Sequence, residues 1–146
     1  MAQRLDYTVT SPDGYKRFGA VHQYVAACGL DESLINLVYL RVSQINGCAY
    51  CVDLHTRHAL KAGEDERRLH SVITWREAPF FTERERAAFA WAESLTWVAK
   101  TGAPDADYDV VRKHFSDKEL TDLTYAVALM NALNRVAIGF RRGPAV

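Results

Sequence analysis

The chain has 146 residues, 49% of them apolar, enough to bury one hydrophobic core and too few to suggest a second domain. Its 18 Lys and Arg balance 18 Asp and Glu, which excludes attraction to nucleic acid or to an anionic membrane through bulk charge. With no apolar run of about eighteen residues and no basic start leading into one, neither a membrane span nor a signal peptide is expected, and the cytoplasm is the default location.

Taken in chain order, periodicity and punctuation predict helices from end to end, with no alternating stretch that reads as a strand. A first helix is expected from about Pro12 to Ala27, stopping at Gly29. Asp31 then caps a second, carried by Leu34, Leu37, Val38, Val42 and Ile45 and ended by Gly47, where a left-handed exit suits glycine. A third opens around Cys48 and ends at Gly63. The charged run from Glu64 to Arg68 reads as a solvated helix start, leading to a short helix that reaches about Trp75.

Thr82 with Glu85, and Ser116 with Glu119, fit capping boxes ahead of apolar-periodic segments, so helices are expected to begin there. The last shows Leu120, Leu123, Val127, Met130 and Leu133 on one stripe. Pro79, Pro104 and Pro144 fall outside the periodic segments. The second and last helices are apolar around more than one face, which implies burial on two sides or contact between subunits. Trp75, Trp91 and Trp97 read as packing residues, Cys28 as a small buried one, and His22, His58, His70 and His114 as surface or capping residues.

Chemistry concentrates between Asn46 and His55. On a helix, Cys48, Cys51 and His55 are spaced three and four apart and share one face. A Cys-x-x-Cys pair at a helix N-terminus feels unpaired N–H groups and the positive end of the macrodipole, which favour thiolate over thiol. A neighbouring imidazole can take a thiol proton, and a second cysteine one turn away can condense with a sulfenic acid before further oxidation. Zinc is the rival, with His58 as a fourth ligand; on one continuous helix Cys48 and His58 lie about 15 Å apart along the axis, too far to share an ion, which leaves open a site of Cys48, Cys51 and His55 with a distant fourth ligand. Two small core cysteines are the bland alternative.

The segment from Leu40 to Arg57 (LRVSQINGCAYCVDLHTR) resembles the AhpD-like alkyl hydroperoxidases of the carboxymuconolactone decarboxylase family, and the segments Trp75 to Arg86 and Asn131 to Arg135 look like the same subgroup. The resemblance implies an all-α, AhpD-like bundle of six to seven helices, residues 1–146 forming one such domain, with no cofactor and no metal. It implies assembly into homotrimers or homohexamers and a two-cysteine cycle on organic hydroperoxides, reset by a dithiol reductant protein. By the family pattern Cys51 attacks peroxide, Cys48 resolves the sulfenic acid and His55 relays protons; the macrodipole alone would favour Cys48.

Two positions depart from that pattern. The relay glutamate expected twelve residues before the first cysteine is Asn36, which cannot take a proton, and the histidine between the cysteines is Tyr50. Glu32, one turn before Asn36, is the candidate substitute carboxylate. The departure keeps alive a second reading, a redox-responsive sensor or disulfide-exchange protein without efficient turnover. The decarboxylase branch does not use this cysteine pair.

Overall fold

The computed structural model describes residues 2–144. Among them there is no strand, and nine α-helical segments follow in order: α1 (Tyr7–Thr10), α2 (Pro12–Ala27), α3 (Glu32–Asn46), α4 (Ala49–Lys61), α5 (Glu66–Ser71), α6 (Glu83–Thr96), α7 (Val98–Thr101), α8 (Asp105–Val111) and α9 (Asp117–Gly139), with a 3-10 turn at Val72–Thr74 after α5. The count exceeds the six to seven expected because α1 and α7 are single turns and α8 is short, below the length at which apolar periodicity can be read. Among the described residues no helix is long and apolar enough to cross a membrane.

The boundaries follow local chemistry. Pro12 sits at the first turn of α2, where its missing N–H is no loss. Asp31 accepts from the Ser33 N–H at the start of α3. Thr82 and Ser116 each close a full capping box, with Glu85 and Glu119 returning the bond to the cap backbone.

Helix α3 is the centre of the bundle, packed against α4, α6 and α9. Every residue from Leu34 to Leu40 is buried, and the helix divides its apolar faces between two clusters. Leu34, Val38 and Val42 join Val25, Trp91, Leu123, Val127 and Met130, whereas Leu37 and Leu40 join Val72, Trp75, Phe81 and Phe89. Its all-round hydrophobicity is thus satisfied within the chain. Between α3 and α6, Arg41 and Arg76 both pair with buried Glu93, which also accepts from the Trp75 indole N–H. Three charge-assisted bonds compensate the desolvation of that carboxylate and hold it below its usual range.

Two readings of surface and core change. Trp97 is 41% exposed, because it caps the C-terminus of α6 instead of continuing its buried face. The charged run is not simply solvated: Glu64 and Arg68 are half-buried, Glu64 accepting from Ser33 and Arg68, and Arg68 reaching on to Glu85.

Candidate active site

Helix α3 ends at Gly47, whose backbone is left-handed with φ 70°. A Cβ there would meet nothing within 4 Å, so the requirement for glycine is conformational. The reversal hands the chain directly to α4 and makes Cys48 the N-cap of that helix, with φ −84° and ψ 93°. Cysteine takes the place of the usual Ser or Asp: its sulfur accepts from the Cys51 N–H at 3.4 Å, one of the orphan donors of the first turn.

The two sulfurs of Cys48 and Cys51 are 2.7 Å apart and both cysteines are buried and unbridged. Such a pair holds one proton between two sulfurs more readily than two protons or none. The two sulfurs share one hydrogen bond, and this bond, with the N–H groups of the first turn and the side chain of Asn134, lowers the Cys48 thiol to about 7 against the cost of burial. The same bond and burial push the Cys51 thiol up. The resting charge therefore lies on Cys48, as the helix-end argument favours, while it is Cys51 that lines a cavity.

That cavity, of about 630 Å³, lies between α2, α4 and α9. Leu54, Met130 and Leu133 give it an apolar floor, Tyr7, Tyr15 and Tyr50 a polar rim, and His55 stands beside Cys51 on its wall. A second cavity of about 540 Å³ is lined by Glu32, Asn36, Tyr39 and Lys61, and shares His22 and His58 with the first.

His55 is buried and its Nδ1 has no hydrogen-bond partner. Burial, with His58 and His22 adding their charge, lowers its pKa to about 3, so its imidazole is neutral across the physiological range. The Tyr39 ring lies 5.0 Å from it, and the Tyr39 hydroxyl is likewise buried without a partner. His58 and His22 complete the group, at 6.1 Å from His55 and from Tyr39 respectively. Among the described residues no three His, Cys, Asp or Glu side chains are placed to hold a metal ion.

Of the sequence-predicted residues, Cys48 and Cys51 thus lie at the N-terminal end of α4 and His55 at its middle, with Cys51 and His55 on one cavity wall. Asn36 is buried and lines the second cavity with Glu32, as their one-turn spacing requires, but Glu32 itself is exposed. Several neighbours escaped the sequence reading. His22 is exposed, as expected, yet it also lines both cavities, which the sequence does not reveal. Asn134 is fully buried; its Nδ2 donates to Ser43 and its Oδ1 accepts from Asn46, which also donates to Asn131. Asn131 and Asn134, three apart on the apolar stripe of α9, were the available signal, because buried amides need partners. Cys28 is only half-buried and far less enclosed than the pair.

The carboxymuconolactone decarboxylase family model matches residues 12–94. The uncharacterised protein YdfG of Bacillus subtilis is 34% identical over 94% of both chains. The crystal structure of an Agrobacterium tumefaciens protein of unknown function, described there as an AhpD of antioxidant defence, superposes with a TM-score of 0.97 at 41% identity over 99% of both chains. The alkyl hydroperoxide reductase AhpD of Coxiella burnetii is 39% identical over 49 residues, 34% of this chain and 28% of that protein.

Proposed function

The chain belongs to the carboxymuconolactone decarboxylase family, and from that premise and the thiol geometry we propose that it is a thiol-dependent peroxidase reducing organic hydroperoxides. The carrying observation is the close contact of the Cys48 and Cys51 sulfurs at the N-terminus of α4, with Cys51 open to an apolar cavity.

The cycle balances with the groups present. The shared proton passes from Cys51 to Cys48, and the Cys51 thiolate attacks the terminal peroxide oxygen. The O–O bond breaks, Cys51 becomes a sulfenic acid, and the departing alkoxide takes the proton from Cys48 to leave as alcohol. The Cys48 thiolate then attacks the Cys51 sulfur, closing a disulfide and releasing hydroxide, which needs one proton from solvent to become water. The two sulfurs together are oxidised by two electrons and the peroxide is reduced by two; a dithiol reductant protein restores the pair.

One proton per turnover must therefore reach the pair from outside. Asn36 cannot carry it, whereas Tyr39 borders the second cavity, and its ring lies against His55. We assign the relay to Tyr39 and His55, with His55 a neutral carrier and Tyr39 an O–H that gives one proton as it receives another. Assembly into a homotrimer or homohexamer fits the exposed Val21 and Tyr24 on α2 and Tyr125 and Ile138 on α9, apolar groups that the chain leaves uncovered.

The test is to mix reduced protein with cumene hydroperoxide and excess dithiol, beside a Cys51→Ser control. Consumption of many equivalents, lost in the control, is the expected result. A single equivalent ending in the disulfide would replace the peroxidase with a redox sensor or disulfide-exchange protein, the reading that the Glu-to-Asn change at position 36 favours.

A further inference from the structure

The cavity before Cys51 has a charge character that the whole chain lacks. Acidic and basic residues are equal in number over the sequence, yet among the described residues no carboxylate lines this cavity, while Lys16 does. A second cation stands at its rim. The Arg142 guanidinium lies 4.4 Å from the ring centroid of Tyr50 and donates to the Tyr7 hydroxyl at 3.1 Å, and both tyrosines line the cavity.

The placement of Arg142 is built, not incidental. After α9 the chain turns through Arg141, whose backbone is left-handed with φ 57°. The Arg142 N–H donates to the Ala137 carbonyl at 2.9 Å. Arg4 holds the same segment, its N–H on the Phe140 carbonyl at 3.0 Å and its side chain on that of Gly139 at 2.9 Å. Asp6, an acid that feels the guanidinium, already accepts from the backbone and hydroxyl of Thr8 to cap α1. Tyr50, whose ring carries the guanidinium, immediately precedes Cys51 on α4, and both line the cavity.

We infer that the preferred substrate is an amphipathic hydroperoxide carrying a fixed anion such as a carboxylate, its apolar body on Leu54, Met130 and Leu133 and its anion held by Lys16 and Arg142. The inference rests on the peroxidase reading, since it concerns the same cavity. Arginine suits the role because a planar guanidinium can stack on Tyr50 and still present in-plane donors to a carboxylate. The bland alternative is two ordinary solvated cations, which would contribute nothing to selectivity.

Two measurements separate these. The first compares kcat/KM for cumene hydroperoxide and its para-carboxylated analogue at low ionic strength. The carboxylate should be favoured about tenfold, equivalent to about 1.4 kcal/mol, with the ratio shrinking in high salt and collapsing towards unity in R142Q and K16Q. Equal efficiency in the unaltered protein overturns the inference and leaves the peroxidase standing. The second uses no turnover: calorimetric titration of the reduced protein with para-isopropylbenzoate and with the neutral para-isopropylbenzamide. Tighter binding of the anion, weakened in R142Q, supports the inference; equal binding of the two overturns it, even if neither hydroperoxide is consumed, an outcome that would separately end the peroxidase reading.

Discussion

The rings of Tyr39 and His55 lie 5.0 Å apart and tilted by 53°, and each carries a buried polar atom without a hydrogen-bond partner, the Tyr39 hydroxyl and His55 Nδ1. A donor and an acceptor stranded side by side in a core are uncommon, since each left unmet costs about 1–3 kcal/mol. The position of the missing relay carboxylate, Asn36, is one turn away on the same helix and borders the same cavity as Tyr39.

Tyr39→Phe is therefore expected to slow peroxide turnover by about a hundredfold, at the low end of general acid–base contributions, while raising stability by about 1 kcal/mol or more, because an unmet buried hydroxyl is removed and no bond is lost. Steady-state kinetics beside thermal denaturation measure both. Unchanged turnover would remove Tyr39 from the relay.

The cysteines should part company when replaced singly. Cys51→Ser is expected to abolish reaction with hydroperoxide. Cys48→Ser should consume about one equivalent and stop at a Cys51 sulfenic acid, which a dimedone adduct seen by mass spectrometry would report. An adduct on Cys48 in the Cys51→Ser protein would reverse the assignment.

The rate should rise with pH through the titration of the pair, with its midpoint near the value of about 7 to which Cys48 is lowered, and level off above it as the shared thiolate becomes fully populated. His55 should add no second limb in that range, because it stays neutral down to about 3. A fall in rate above pH 8 would show that a protonated group, and not the thiolate, limits the reaction.

Stability should respond to acid through the same histidine. Between its usual value near 6.5 and about 3, unfolded chains bind a proton at position 55 that folded chains refuse, so the folded state weakens as pH falls through that window. The contribution is up to about 1.4 kcal/mol per pH unit. Denaturant melts from pH 7 to 4 should show a shallower loss in His55→Asn than in the unaltered protein.

Gly47→Ala forces a side chain into the left-handed region, at a cost of about 1 kcal/mol with no steric clash to add to it. Because this residue sets Cys48 as the N-cap, the thiolate titration should move upward together with the loss of stability. An altered melting temperature with an unmoved titration would mean that the cap is positioned by something else.

Much of this architecture is legible in the sequence because its signals are local. Pro12, Asp31, Gly47, Thr82 and Ser116 mark helix boundaries through caps that involve neighbours within three residues, and the spacing of Cys48, Cys51 and His55 fixes their common face. The contributions of Tyr39, His22, Asn134 and Arg142 are not legible there, because each depends on contact between distant segments. Tyr39 sits in an apolar run and looks like any core aromatic until α4 is laid against α3. Arg142 follows the last helix in a segment without periodicity, and only the backward turn at Arg141 carries it to Tyr50. The single-turn helices α1 and α7 are too short to leave a period at all.

If the proposed peroxidase function holds, the two cavities that share His22 and His58 would also separate traffic. Organic molecules would use the tyrosine-rimmed chamber and hydrogen ions its neighbour, so an occupant of the first need not vacate before the second delivers. Such a division makes the organic chamber open to remodelling: exchanging Phe18, Leu54 or Leu133 for other apolar residues can retune which molecules fit without disturbing how the thiols are replenished with protons. A scaffold arranged in this way can diversify its repertoire by drift in a few lining positions while its reactive core stays fixed.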